Sequence, residues 1–452
     1  MESTQLKEKF ENFSPKYVEY FTYEELISNM ESKSQMKFIE IGKSKKGKNI
    51  NAYSLGEGKT RVMAYGLPHS DEVVGSLTID YLTDFILENK EWLRDFTFLL
   101  IPCIDPDGLE MNEGWLKGKF TPSKFFLNRY HRPDIEDIDW GFPIDTEQYT
   151  FKTEIPETKI LTRLIHEFKP HFFTSLHSIQ FSGVHFYFDN YYPKLFDRIE
   201  KFIDTTNIPL QKGTPFFIEA EQAFRLGFYR VYSTKEMIND YLLNETDIST
   251  LRRGEFSTSY YLNSFPKGMV IVPEVPLYFD AEIYNLDTSN RTIRETSIFA
   301  SQTMLDILGF IEPIWKNNKK SLNSSHHQFA RIEDITSTWR KELKEEIKLI
   351  KKSYSKELAT KSEVFSNEVI VFYNGCNTLG SFYQLIKNSQ ELKEPKREEI
   401  LQIIADEMRR IETEVRKRSK IQISDLNEMV QIQAFSILSS LEHLKEKKKR
   451  KD

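Results

Sequence analysis

Apolar residues form short alternating or continuous runs in the first two thirds of the chain and helix-spaced stripes in the last third. Residues 37–41 and 49–55 alternate around a turn at 42–47 and read as a hairpin. Residues 61–65 form the next strand, and a helix runs from about 73 to 89 with Val73, Leu77, Leu82, Phe85 and Ile86 as its apolar positions. Residues 95–104 are nearly all apolar, as expected of a central strand buried on both faces. Further strands are read at 171–176, 184–188 and 268–275, and helices at 3–33 (two short ones), 157–168, 193–207 and 291–309. Residues 109–157 and 208–265 carry little periodicity. An irregular stretch of that length in a compact domain is more often functional than idle. Beyond about residue 313 the pattern is helical throughout, with Ile332, Ile335, Trp339, Ile350, Ile400, Ile404, Met408, Met429, Phe435 and Leu441 on the stripes.

Candidate chemistry lies where strands end. Gly66 and Pro68 break the strand 61–65, and the turn that follows holds His69 and Glu72. An imidazole and a carboxylate three residues apart can reach one metal ion from such a turn. The plainer alternative is a turn histidine and a glutamate in the first turn of a helix, where the helix dipole favours it. His177 follows the strand 171–176 and has the character of a third ligand, provided the two strands lie parallel in one sheet. A set of two histidines and one glutamate leaves the fourth zinc position open, which is the catalytic rather than the structural arrangement. Glu274 interrupts an apolar strand and is the candidate general base. Its bland alternative is an edge-strand glutamate facing water beside Pro273 and Pro276.

Composition narrows the picture. A chain of 452 residues suggests two or three domains, and 39% hydrophobic residues can fill a large core. A net charge of -6 gives no argument for nucleic acid as a partner. The first residues lack an apolar signal region and no long apolar run suggests a membrane span, so a cytoplasmic location is expected. Two cysteines, Cys103 and Cys376, read as inert thiols rather than a disulfide framework.

Six landmarks in order resemble the zinc carboxypeptidases, the M14 metallopeptidases. They are the hairpin turn from Ile41 to Gly47 followed by Ile50, the His69–Glu72 motif, the Asp105 to Gly108 turn, the Asn128–Arg129 pair, His177 and the strand bearing Glu274. They span roughly residues 35 to 310. The turn departs from the family by having Asp105 in place of asparagine. The resemblance implies an α/β fold with a central mixed sheet of about eight strands and flanking helices. It implies one Zn2+ held by His69, Glu72 and His177, with Glu274 as base. It also implies that Arg129, with Asn128, holds the substrate's terminal carboxylate. The family's carbonyl-polarising arginine has no clear counterpart; Lys117, Lys119 and Lys124 lie in the region. Its loop tyrosine is not identifiable either, although Tyr260 and Tyr261 are nearby. Arg225, Arg230, Arg252 and Arg253 mark 208–265 as a stretch that shapes the substrate pocket.

The expected organisation is a catalytic domain over residues 1–312 and an all-helical appendage over 328–452, ending in a basic tail. The stripes of the appendage suit a bundle core or self-association. The expected function is hydrolysis of a C-terminal residue from a peptide or peptide-like substrate, with neither nucleic acid nor membrane as partner. Two alternatives stand beside it: a zinc deacylase acting on a small amino-acid derivative, and a non-catalytic binding protein on the same fold.

Overall fold

The computed structural model describes residues 3–212, 223–243, 248, 251, 253–354 and 356–449; Arg252 falls outside them. The alternating and apolar runs become the strands β1 (Lys37–Lys43), β2 (Asn49–Leu55), β3 (Thr60–Gly66), β4 (Phe96–Ile101), β5 (Phe172–Phe181), β6 (His185–Phe188), β7 (Ala223–Arg225), β8 (Phe228–Arg230), β9 (Met269–Phe279) and β10 (Gln422–Ile423). They build one mixed sheet in the order β1-β2-β4-β3-β5-β9-β6-β8-β7, with β10 pairing antiparallel to the end of β9. The three central neighbours β3, β5 and β9 run parallel. Their C-terminal ends therefore open on the same edge, where α/β sheets hold ligands. The sheet has ten strands among the described residues. The additional strands are the short pair β7–β8 from the irregular stretch and β10 from the C-terminal region.

Helix α1 (Val74–Glu88) follows β3 and is buried on almost every face, including Thr78 and Asp80. The cause lies far along the chain. Helix α4 (Leu426–Lys449) packs across it, where the Thr78 hydroxyl donates to Gln433 Oε1 at 2.6 Å. Gln433 Nε2 in turn donates to the His177 carbonyl at 2.6 Å. The C-terminal region is helical and built into the body of the protein. One apolar core cluster runs from Leu6 through the sheet to Leu441. The stripes at Ile400, Ile404, Met408, Met429, Phe435 and Leu441 are buried within this chain. The helix expected at 291–309 continues as α2 (Ile293–Asn318), started by a capping box between Thr292 and Glu295. Helix α3 (Val371–Lys387) packs on the short helix Pro122–Asn128, so closely that a Cβ on Gly380 would meet the Phe126 carbonyl oxygen at 2.1 Å.

The turn expected at 105–108 opens a short helix, Pro106–Met111, with the Asp105 side chain accepting from Gly108 N. Both cysteines are buried and unpaired. Among the described residues no helix is long and apolar enough to cross a membrane.

Candidate metal centre

Local geometry brings the end of one strand against the middles of two others: His177, expected just past a strand, lies inside β5, which runs on to Phe181, and Glu274 lies inside β9. β3 ends at Gly66, where any Cβ would meet the Pro102 carbonyl oxygen and Ser76 N, both at 2.7 Å. Leu67 turns the chain at φ 54°, and Glu72 N closes the turn on the His69 carbonyl at 3.1 Å. Gly66 is paired in register with Leu176 of β5, and Gly75 of α1 lies against the same Leu176. His177, the next residue, is paired in register with Glu274 of β9. Backbone pairing alone thus sets the His69 turn, His177 and Glu274 side by side.

The side chains converge. The His69 and His177 rings are 5.0 Å apart, and both are buried. His177 Nδ1 lies 2.9 Å from Glu72 Oε2 and 3.9 Å from Glu274 Oε1. Ser178 N donates to Glu72 Oε2 at 3.2 Å. Each imidazole is also steadied by an aspartate or a serine. His69 Nδ1 is 2.7 Å from Asp137 Oδ2; with its proton there, Nε2 keeps the lone pair. His177 Nε2 is 3.0 Å from Ser175 Oγ and 3.7 Å from Asp139 Oδ2. Asp139 is fixed by the Tyr65 hydroxyl and by Ser257 Oγ at 2.6 Å.

Titration reflects the crowding of acids. Burial works against a charged His69, but Asp137, Glu72 and Asp139 outweigh it and hold the imidazole well above its ordinary value. The same balance, with Glu72 foremost among the acids, raises His177. Burial pushes the Glu274 carboxyl up to about 8; His177 pulls the other way and Glu72 adds to the rise.

Donor chemistry fits a divalent cation. Three groups of potential ligand atoms overlap here: His69, His131 and Asp137; His69, Asp139 and His177; Glu72, His177 and Glu274. His69, Glu72 and His177 therefore meet around His177, although they are distributed over two of these groups. Imidazole nitrogens and carboxylate oxygens without thiolate suit zinc in an open site, and a carboxylate on the far imidazole nitrogen is the usual support.

A cavity of about 550 Å³ adjoins the centre. Arg129 lines it, with Nε 2.5 Å from Asp71 Oδ2, while His131 Nδ1 sits 2.8 Å from Asp71 Oδ1. Burial would raise the Asp71 carboxyl, but Arg129 and His131 together hold it far below the usual carboxylate range. Asn128 stays outside the cavity; its amide donates to the Lys124 carbonyl on its own helix and its side chain packs on Gly114. Lys117 pairs with Glu25 near the N-terminal helices, and Lys124 reaches the Lys117 carbonyl. Tyr260 bonds His166 and Tyr261 bonds the Pro170 carbonyl, so neither lines the cavity. Tyr187 and Tyr232 instead line an aromatic recess that joins the centre at Asp139 and Trp140. Of the arginines in 208–265, Arg225 pairs with Asp197 and Glu200, and Arg230 with Glu236. Arg253 lines the cavity with its guanidinium 4.4 Å over the Trp140 ring.

The residues missed in the sequence, His131, Asp137, Asp139 and Trp140, all come from the aperiodic stretch 109–157. Its acids had no spacing to mark them. The aspartate at the family's asparagine position has a physical reason. Asp105 is fully buried and receives Arg132 through Nε at 2.9 Å and Nη2 at 2.6 Å, as well as the Ser70 hydroxyl at 2.5 Å.

Comparison with known proteins gives the family of the chain. The Peptidase_M14 family model, described as zinc carboxypeptidase, matches residues 23–265. The inactive metallocarboxypeptidase ECM14 of Paracoccidioides brasiliensis strain Pb03 is 27% identical over 139 residues, covering 26% of this chain and 22% of that protein. Its namesake from Ajellomyces capsulatus strain NAm1 / WU24 is 28% identical over 151 residues, covering 29% and 24%. The matched stretch thus spans under a quarter of the length of these curated relatives. Among solved structures, the carboxypeptidase A of Helicoverpa armigera overlays with a TM-score of 0.38 at 15% identity, covering 57% of this chain and 65% of that one. The metallo-carboxypeptidase of Burkholderia cenocepacia overlays with a TM-score of 0.32 at 15% identity, covering 56% and 58%.

Proposed function

The chain belongs to the zinc carboxypeptidase family, and on that premise we propose that it is a zinc-dependent hydrolase that removes a C-terminal residue from a peptide. The observation that carries this reading is the meeting of His69, Glu72, His177 and Glu274 where β5 and β9 run on past the end of β3. His69, Glu72 and His177 would hold the zinc. When bound, the metal supplies Lewis acidity to the scissile carbonyl and to a water molecule. Glu274 takes a proton from that water as its oxygen adds to the carbonyl carbon. It then gives the proton to the amide nitrogen as the C–N bond breaks, leaving a carboxylic acid and a free amine. A carboxyl raised towards neutral pH by burial is suited to both transfers. Arg129, braced by Asp71, would receive the terminal carboxylate through its planar fork. A cytoplasmic site of action is in keeping with two unpaired buried cysteines.

Glu274→Gln tests the assignment. It should retain zinc and lose at least about 100-fold in kcat, the usual scale of a general base, when hippuryl-type peptides are assayed with the reconstituted protein. Loss of zinc in that variant would instead make Glu274 a ligand.

The names of the curated relatives favour a second reading, a protein that binds zinc and peptide without hydrolysis. The presence of Glu274 beside His177 speaks for turnover. Equal, negligible rates in wild type and Glu274→Gln would make the second reading the better one.

A further inference from the structure

One wall of the cavity beside the metal centre comes from outside the family match, which ends at residue 265. Helix α3, with Ile370 just before it, presents Tyr373, Asn374, Asn377 and Thr378 to the cavity, a set that recurs every three or four residues and so forms one helical face. This wall is fixed to the elements that carry the centre. Tyr373 stacks on Phe181, four residues past His177 on β5, with centroids 4.8 Å apart and planes at 12°. Gln384 donates to the Arg129 carbonyl. The Gln180 amide lies between Arg129 and Asn377. With its oxygen towards Arg129 it accepts from Nε at 3.2 Å and Nη2 at 3.1 Å, and its nitrogen faces the Asn377 amide. Gly380 rests on the Phe126 carbonyl oxygen, a backbone contact that leaves no slack for the helix to shift.

Chemically, the wall is a row of short amides and a hydroxyl, which can both donate and accept, as a peptide main chain requires. The space it leaves is small. A cavity of about 550 Å³ is that of a drug-sized ligand and holds roughly three or four residues. Resting on the peptidase reading above, we propose that α3 is a specificity wall: Asn374 and Asn377 bind the main chain of the substrate, and the fixed helix bars longer chains. The substrate class is then short oligopeptides, not the ends of proteins.

The test is hydrolysis of random-sequence tripeptide and dodecapeptide pools by the zinc-loaded protein, read by mass spectrometry. Tripeptides should lose their terminal residue at least about 100-fold faster. Asn374 is exposed, so Asn374→Ala should fold normally. It should raise KM for tripeptides by up to about tenfold with kcat little changed, because a hydrogen bond that holds ground and transition states equally affects binding alone. Equal rates on the two pools, or an unmoved KM in both Asn374→Ala and Asn377→Ala, would overturn the wall while leaving the peptidase intact. Failure to cut either pool would remove the wall together with the function it rests on.

Discussion

At the scale of single residues, Asp71 shows how charge is arranged around the cavity. It stands between His69 and Glu72 in sequence, yet it turns to Arg129 and His131. Its carboxyl is held below the usual range, so its contribution to stability is present above about pH 4 and is lost as pH falls through the lower folded value. Asp71→Asn breaks a buried pair and should destabilise by about 3 kcal/mol near neutral pH. That deficit should shrink progressively when urea unfolding is repeated below about pH 4, because the unfolded wild type takes up the proton there while the folded carboxylate resists it. Arg129→Ala should lower kcat/KM by about 100-fold on peptides with a free terminal carboxylate, the worth of two charge-assisted bonds. Amidated peptides should be affected far less. Equal loss on both would move Arg129 from the carboxylate to the scissile carbonyl. Arg129 could be read in the sequence because it sits beside Asn128 in a recognisable pair. Asp137 and Asp139 could not, because a carboxylate that supports an imidazole needs only proximity in space, and their stretch has no periodicity to place it.

At the scale of elements, the site depends on how tightly strands and helices are joined. Gly75 lets α1 lie on β5 directly beside His177; a Cβ there would meet the Leu176 carbonyl oxygen at 2.6 Å. Gly75→Ala should cost roughly 1–3 kcal/mol of stability by overpacking and should weaken zinc binding, because Leu176 cannot retreat without moving His177. Differential scanning fluorimetry with and without zinc would show both effects. An unchanged melting temperature and zinc response would mean that the junction yields freely. The strands β1 to β6 and β9 were legible because each is a run of alternating or continuous apolar residues bounded by turn formers, although β5 and β9 were read too short, since they run on past 176 and 275 to Phe181 and Phe279. The short strands β7 and β8 and the two-residue β10 were not, since three residues or fewer carry no period. Their pairing is decided by the neighbouring strand.

At the scale of the whole molecule, the helical third shares one apolar core with the sheet that carries the candidate centre. Its stripes predicted helices correctly, but a stripe does not say what it packs against. The partner turned out to be the sheet and α1, through Gln433 below His177 and α3 beside Arg129. Helices that reach both the back of the strand bearing His177 and the wall of the cavity tie the candidate centre to the helical third. In the proposed centre His69, Glu72 and His177 hold one catalytic zinc. Plasma mass spectrometry of reconstituted wild type and His177→Ala, each confirmed as folded by circular dichroism, tests it most directly. About one zinc per chain is expected in wild type and little in the variant. No zinc in the wild type, or the same zinc in folded His177→Ala, would contradict it.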